Sequence, residues 1–91
     1  MLRLIWLESA VESLENISDY IAERDEPAAR RLQAAAETCA ERLPEFPYMY
    51  RAGRVPGTRE AVVHPNYILI YRVTIDAVEV IDVVHARREY P

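Results

Sequence analysis

The sequence predicts an α+β fold in the order β-α-α-β-β-β, with a helical hairpin packed on a small, mainly antiparallel sheet. Residues 9–43 contain two apolar stripes with the spacing of amphipathic helices. Residues 58–84 contain three runs rich in β-branched and aromatic side chains, bounded by Gly, Pro, Asn and Asp. A chain of 91 residues can build one core, so we expect a single domain over residues 1–91.

Composition and motifs limit the classes of function. The chain is 51% hydrophobic and 29% charged, which is ordinary for a globular protein. It has no apolar run long enough to span a membrane and no signal-peptide pattern, so we expect a cytoplasmic location. Cys39 is the single cysteine, which excludes an internal disulfide. We expect no cofactor and no metal, because no phosphate loop, nucleotide fingerprint or metal cluster is present.

The charge is unevenly distributed. Residues 1–48 carry ten acids and five arginines, whereas residues 49–91 carry five acids and six arginines, and the net charge is −4. This balance does not indicate nucleic-acid binding. Every basic residue is arginine, which either reflects codon bias or serves bidentate contacts to carboxylate or phosphate.

The first half of the chain is predicted as a strand followed by two helices. Residues 2–7 form a short strand. Residues 9–12, from Ser9 to Glu12, match a capping box at the start of the first helix. Its apolar stripe consists of Ala10, Leu14, Ile17 and Ile21.

The second helix has clear start and stop signals. Asp25 can cap it and Pro27 fits its first turn, while Pro44 ends it. Its small side chains favour a tight antiparallel helix pair. The predicted stripe consists of Ala28, Leu32, Ala35, Cys39 and Leu43.

An aromatic loop follows at residues 45–50, and we expect Phe46 and Tyr48 to fill the core. Gly53 and Gly57, with Pro56 between them, predict a tight turn into the sheet.

The last two strands, residues 66–73 and 77–84, predict a hairpin. Its register pairs Arg72 with Glu79, Ile70 with Ile81, and Ile68 with Val83, and it leaves Asp82 opposite Leu69 with no evident partner. Both faces are then apolar. One carries Ile68, Ile70, Ile81 and Val83, and the other carries Tyr67, Leu69, Tyr71, Val73, Val78, Val80 and Val84.

Two helices can cover only one of these faces. In an antiparallel sheet with one face exposed to water, apolar and polar residues should alternate more regularly than they do here. We therefore expect the face of Ile68 to meet a partner. The alternative is that residues 44–57 and the tail fold over it.

The residues with chemical potential lie mostly at strand ends and in the tail. Metal-free RNA cleavage needs a base, cations that stabilise the phosphate and an acid for the leaving oxygen. A histidine at a strand end is also commonly a packing residue, and a terminal Arg-Arg is commonly solvated or in contact with a partner. The candidates are Arg54, Arg59, His64, His85, Arg87, Arg88 and Tyr90.

Three stretches, residues 54–63 (RVPGTREAVV), 67–73 (YILIYRV) and 80–91 (VIDVVHARREYP), resemble the RelE/ParE family of bacterial toxins. Residues 17–22 (ISDYIA) and the order of the elements are similar to that family as well. The resemblance covers nearly the whole chain and is most specific in its second half, where the sequence is similar to the ParE branch.

The resemblance implies a type II toxin in a hetero-oligomer with a cognate antitoxin, ParD-like or of another class, whose flexible segment wraps it. We expect the antitoxin to bind at Ile68, Ile70, Ile81 and Val83. ParE-like members inhibit DNA gyrase by binding, without chemistry of their own, and no direct DNA binding by the toxin alone is expected. RelE-like members instead cleave mRNA on the ribosome.

The gyrase branch, and with it a binding protein over an enzyme, is favoured because Ala61 and Ile68 stand where the nuclease branch carries cations. Arg59 matches one basic position of that branch's sheet, and Arg87 or Arg88 with Tyr90 matches its C-terminal set in part. The expected target-binding residues are Arg54, Arg59, His85, Arg87, Arg88 and Tyr90. In a metal-independent endoribonuclease the catalytic residues would be Arg59, His85, Arg87, Arg88 and Tyr90. A third alternative is a degenerate toxin that retains only antitoxin binding.

Overall fold

A computed structural model describes residues 1–88 of the chain. Its elements, in order, are β1 (Arg3–Trp6), α1 (Glu8–Ala22), α2 (Glu26–Arg42), β2 (Arg51–Ala52), β3 (Arg59–His64), β4 (Tyr67–Val73) and β5 (Ala77–His85). The strands form one sheet in the order β1-β5-β4-β3-β2. The α+β prediction is confirmed, and the short strand β2 is an addition to it.

The sheet is mixed because its first and last strands are neighbours. β1 pairs with β5 in parallel, while the three other pairs are antiparallel. The helical hairpin between β1 and the rest of the sheet allows this parallel return, since parallel strands need a long connection. No helix within residues 1–88 has the length and apolar character needed to cross a membrane.

The helix α1 begins differently from the prediction. Leu7 is its N-cap residue and makes no side-chain capping bond, so the predicted capping box is wrong. Ser9 lies in the first turn and its Oγ donates to the carbonyl oxygen of Ile81, at 2.7 Å. Because β1 leads directly into the helix, Ser9 is directed to the neighbouring strand β5 instead of to its own helix end.

The helix α2 begins as predicted. The Asp25 carboxylate accepts a hydrogen bond from the Ala28 amide at 3.0 Å, and proline occupies the first turn. The buried side of the helix is rotated from the predicted stripe. Ala28, Ala35 and Cys39 are only half-buried, and the fully buried residues are Ala29, Leu32, Ala36, Ala40 and Leu43.

The main core lies between the two helices and one face of the sheet. Its largest buried side chains on the sheet include Leu69, Tyr71, Val78, Val80 and Val83. The aromatic loop after α2 does not fill it. Phe46 is 46% exposed and Tyr48 is 66% exposed, so the prediction that they are core residues is wrong.

The register of the last hairpin contains a bulge. Arg72 pairs with Glu79 as predicted, but the ladder shifts by one residue between Tyr71 and Ile70. Ile81 is the extra residue of β5, because Tyr71 faces Val80 and Ile70 faces Asp82.

The bulge reverses the assignment of two valines. The predicted pairs Ile70–Ile81 and Ile68–Val83 are wrong, and Ile68 pairs with Val84. Val83 lies in the main core with 1% exposure, while Val84 joins Ile68 and Ile70 on the opposite face. A one-residue shift of register exchanges the two faces of a strand, which explains the error.

Hydrogen bonds from α1 hold the bulge in place. Ser13 Oγ donates to Asp82 Oδ1 at 2.6 Å, and the same oxygen accepts the Val83 amide at 2.8 Å. Ser9 binds the adjacent carbonyl of Ile81. Asp82 therefore has a structural partner, contrary to the prediction.

The second face of the sheet is closed in the isolated chain. Ile68, Ile70 and Val84 are 2%, 5% and 2% exposed, with Ile81 and Ala86 packed against them. We call these five residues the second cluster. The expectation that this face is uncovered is wrong.

The alternative, closure by loop and tail, agrees with the contacts at this face. Arg54 Nη1 in the turn before β3 donates to the carbonyl oxygen of Arg88, at 3.0 Å. A groove of about 340 Å³ remains, with Val55 and Arg88 on its rim and Ile81 in its lining.

Candidate functional site

The side chain of Arg59, the first residue of β3, binds the aromatic loop. Its Nη1 donates to the carbonyl oxygen of Tyr50 at 2.7 Å and lies 3.5 Å from that of Tyr48. The guanidinium also stacks on the Tyr48 ring, 4.8 Å from its centre. Arg59 therefore orders this loop and is separated from the chain that follows β5 by the intervening strand β4.

Glu60 is a buried carboxylate that the sequence analysis did not single out. It is 4% exposed. Its Oε1 lies 3.0 Å from Arg51 Nη2, and its Oε2 accepts the Arg54 amide at 3.2 Å. The only sequence signal was an acid inside an apolar strand with several arginines nearby. Glu60 ties β2 and the following turn to β3, so it is a structural anchor for the arginines of this edge.

The structure brings together two of the predicted target-binding residues. Arg54 reaches the backbone of Arg88 through its Nη1. Arg54, Arg87 and Arg88 are all exposed, so this corner of the molecule presents several guanidinium groups. Tyr90 lies outside the described residues.

Both histidines belong to a small ring cluster formed where β3 and β5 end and β4 begins. Tyr67 lies between them, with its ring centre 5.5 Å from that of His64 and 5.3 Å from that of His85. Each imidazole accepts a backbone amide at Nδ1, from Asn66 at 3.0 Å and from Arg87 at 3.1 Å. A neutral imidazole that accepts at Nδ1 carries its proton on Nε2.

A groove of about 300 Å³ lies beside the ring cluster. Its lining includes Tyr67 and His85 of that cluster, together with Ser13 and Arg88. An Nε2–H donor and a guanidinium beside one groove can bind an anionic or carbonyl group. They do not amount to a base and an acid with a nucleophile between them. Within residues 1–88, no group of three or more His, Cys, Asp or Glu side chains is arranged to hold a metal ion.

The Cys39 thiol and the phenols of Tyr50 and Tyr71 have raised pKa values, which favour their neutral forms. Burial raises the pKa of the Cys39 thiol, and the Cys39 hydrogen bond, at 3.7 Å, raises the pKa of the Tyr50 hydroxyl. Burial also raises the pKa of Tyr71, which donates to the Pro47 carbonyl at 2.7 Å. A thiol with a raised pKa is a poor nucleophile at neutral pH.

The positions expected to carry cations in a nuclease are filled by the two apolar clusters. Ala61 is 0% exposed in the main core, and Ile68 is 2% exposed in the second cluster. Within residues 1–88 the site therefore consists of an exposed arginine corner, a histidine-tyrosine cluster and an aromatic loop held by Arg59.

Comparison with known proteins identifies the family. The family model described as ParE toxin of type II toxin-antitoxin system, parDE, matches residues 4–90. The chain belongs to the ParE toxin family. The resemblance inferred from residues 54–63, 67–73 and 80–91 is confirmed.

Two relatives are similar over nearly their whole lengths. The chain is 38% identical over 90 residues to Putative toxin Y4kP of Sinorhizobium fredii, covering 98% of this chain and 93% of that protein. It is 33% identical over 88 residues to Toxin RelE2 of Caulobacter vibrioides, covering 97% and 99%. The names of these relatives both describe toxins.

A solved structure, described as the chromosomal ParDE TA system from P. aeruginosa, has the same fold. The TM-score is 0.81 at 18% identity, over 93% of this chain and 96% of that one. The protein is thus a type II toxin by family, and membership of a toxin–antitoxin family implies an antitoxin partner for this ParE-family chain.

Proposed function

We propose that this ParE-family toxin inhibits DNA gyrase by binding it, and that a cognate antitoxin neutralises it. The observation that carries the proposal is the burial of Ala61 and Ile68, together with the use of Arg59 to hold the carbonyls of Tyr48 and Tyr50. Family membership supports the toxin role.

The chemistry of RNA cleavage argues for binding over catalysis. Stabilising the crowded phosphate needs donors aimed at it, and losing one such donor costs roughly 3–4 kcal/mol of transition-state stabilisation. Ala61 and Ile68 supply none. The exposed Arg54, Arg87 and Arg88 instead suit contacts with a protein surface, as does His85 at the ring cluster. Tyr90 and Arg59 complete the proposed target-binding set.

One observation favours a second candidate, a ribosome-dependent mRNA endoribonuclease. A relative that is 33% identical is named Toxin RelE2. In that function Arg59, Arg87, Arg88 and Tyr90 would act together with His85.

We further propose that the antitoxin binds at the second cluster, through the groove that exposes part of Ile81. The corrected register replaces Val83 with Val84 in this proposed set, beside Ile68 and Ile70. Because gyrase is a cytoplasmic enzyme in bacteria, the proposal places the toxin in the cytoplasm.

The test is to induce the chain alone in bacteria and to label DNA, RNA and protein synthesis. We expect an early stop in DNA synthesis with DNA breaks, and inhibition of supercoiling by purified gyrase when purified toxin is added. An early stop in protein synthesis with fragmented mRNA would establish the nuclease instead. Normal growth with intact antitoxin binding would identify a degenerate toxin.

A double variant, Arg87→Ala with Arg88→Ala, is the informative companion. Both side chains are exposed, so the melting temperature should stay within a few degrees of the wild type. We expect gyrase inhibition to weaken. Antitoxin binding should be retained by Arg87→Ala alone, because Arg88 also lines the groove proposed for the antitoxin. Full inhibition by the double variant would remove the arginine tail from the proposed target surface.

A further inference from the structure

We propose that the aromatic loop at residues 46–49, with the arginines around it, binds an apolar pocket with an acidic rim on the toxin's target protein. The inference rests on the proposed function, since it assigns a contact surface for gyrase. It adds a surface that the sequence analysis assigned to the core.

The loop displays three large apolar side chains next to one another. Phe46, Tyr48 and Met49 are 46%, 66% and 47% exposed. They lie within four residues of each other, between the end of α2 and β2. Aromatic residues and methionine are enriched in the buried centres of protein interfaces, and a clustered exposed apolar patch indicates an interaction site.

Hydrogen bonds from the core fix the shape of the loop before any partner binds. The buried Tyr71 donates to the Pro47 carbonyl at 2.7 Å, and Arg59 donates to the Tyr50 carbonyl at 2.7 Å. Inside the loop, the Met49 amide donates to the Phe46 carbonyl at 3.3 Å. A preorganised surface loses less conformational entropy on binding, so more of its contact energy contributes to affinity.

The charge around the loop selects the partner. Residues 42–60 contain four arginines and two acids, a local charge of +2 in a chain whose net charge is −4, and one of the acids, Glu60, pairs with Arg51. Arg42 ends α2 just before the loop, Arg51 follows it, and Arg59 stacks on Tyr48. A basic rim around apolar anchors complements an acidic rim around an apolar pocket.

The loop and the surface proposed for the antitoxin lie in different parts of the molecule. The second cluster and its groove lie on the sheet face opposite the helices, whereas the loop extends from the end of α2. The toxin can therefore contact its target through loop side chains that are not part of the surface proposed for the antitoxin.

The deciding variant replaces the three exposed side chains together: Phe46→Ser, Tyr48→Ser and Met49→Ser. Its matched control is Ile75→Ser, which removes an apolar side chain that is 92% exposed in the turn between β4 and β5. The measurements are the toxin concentration that half-inhibits gyrase supercoiling, growth arrest on expression alone, antitoxin affinity and melting temperature.

We expect the triple variant to need at least about thirtyfold more toxin for half-inhibition, the loss typical of an interface hot spot. The control should change by less than about twofold. Antitoxin affinity and melting temperature should stay near the wild-type values, because the replaced side chains are exposed. A second variant that keeps Tyr48 and its Arg59 contact, Phe46→Ser with Met49→Ser, guards against a folding defect in the triple variant.

The outcomes separate this inference from the proposed function. If wild-type toxin leaves gyrase unaffected but arrests growth, the gyrase proposal fails, and the loop is then judged by whether the triple variant still arrests growth at equal protein level. Undiminished inhibition or arrest by the triple variant overturns the inference.

Two other results would also overturn it. If the variant folds normally but loses antitoxin affinity alone, the loop is an antitoxin contact. If the wild type self-associates, and the variant is monomeric with full toxicity, the loop is a contact between copies of this chain.

Discussion

Two serines on α1 have opposite hydrogen-bonding environments. Ser13 Oγ donates to the Asp82 carboxylate at 2.6 Å. Ser18 is 5% exposed, and its Oγ is buried with no hydrogen-bond partner among residues 1–88. A buried hydroxyl without a partner carries an uncompensated desolvation cost.

We therefore predict opposite effects of the same substitution. Ser18→Ala should raise the free energy of unfolding by about 0.5–1.5 kcal/mol, since it removes the unpaired hydroxyl and introduces the best helix former. Ser13→Ala should lower it by about 1–2 kcal/mol because Asp82 at the bulge loses a donor. Urea unfolding of both variants measures this. Equal shifts in the same direction would contradict the hydrogen-bond assignment of the two serines.

The role of a single residue could be predicted where the residue and its hydrogen-bond or ion-pair partner lie close together in the sequence. The Asp25 cap acts on Ala28, three residues away. The Arg72–Glu79 pair follows from a short hairpin. Ser9 has the same local appearance as a cap, but its partner is the carbonyl of Ile81, which only the tertiary fold brings near.

The buried side of α2 consists largely of alanines, and the tightness of packing around them is open to test. Ala36 is 0% exposed in the main core, whereas Ala34, on the same helix, is exposed. Enlarging a side chain in a close-packed core forces strain on its neighbours.

We predict that Ala36→Leu lowers the free energy of unfolding by about 1–3 kcal/mol, while Ala34→Leu changes it by less than about 0.5 kcal/mol. Chemical denaturation of the two variants, compared at equal protein concentration, gives both values. If both substitutions cost the same, the buried side of α2 is not the one that contains Ala36, and the predicted stripe through Ala35 and Cys39 would be restored.

Elements were predictable in kind and order because hydrophobic periodicity is a local property of the chain. The pairing between β4 and β5 was predictable only up to the bulge at Ile81. An apolar strand with Val83 and Val84 side by side satisfies either register, so sequence alternation cannot decide between them. The bonds from Ser9 and Ser13 of α1 favour the observed one.

At the scale of the molecule, the features that the sequence analysis missed depend on how turns and strands contact one another, which hydrophobic periodicity does not show. Glu60 is buried because Arg51 and the turn at Arg54 close on it. The second cluster is buried on the sheet face where the turn at Arg54 contacts the backbone of Arg88. The candidate site was therefore predictable as a set of basic and aromatic residue types, whereas its separation into a loop held by Arg59 and an arginine corner required the fold.

Three raised pKa values lie in one region of the molecule and give the fold a defined response to high pH. Cys39 and Tyr50 are hydrogen-bonded to each other, and Tyr71 donates to the Pro47 carbonyl in the same loop. Burial of the Cys39 thiol and of Tyr71 disfavours their charged forms and raises their pKa values.

The sign of the effect follows from proton linkage. In the unfolded chain the Cys39 thiol loses its proton around its ordinary pKa of 9.0, while the folded protein still holds it. The unfolded state then binds fewer protons, so the free energy of unfolding falls as pH rises. We expect stability from this group to be fully present below pH 9.0 and to be lost above it, followed by the tyrosine contributions above their ordinary pKa of 10.0.

Melting temperatures measured from neutral pH into the range above these values would check this, with Cys39→Ala as the matched variant. The variant should lose the first part of the decline and keep the later part that comes from Tyr71. A wild-type melting temperature that rises above pH 9.0, or a Cys39→Ala curve parallel to the wild-type one, would contradict the assignment of the early decline to the buried thiol. Because the Tyr71 hydroxyl donates to the Pro47 carbonyl, loss of its proton removes a bond that holds the aromatic loop. The same alkaline range should therefore loosen residues 46–49 before the helices, and the fluorescence of the tyrosines would report that order.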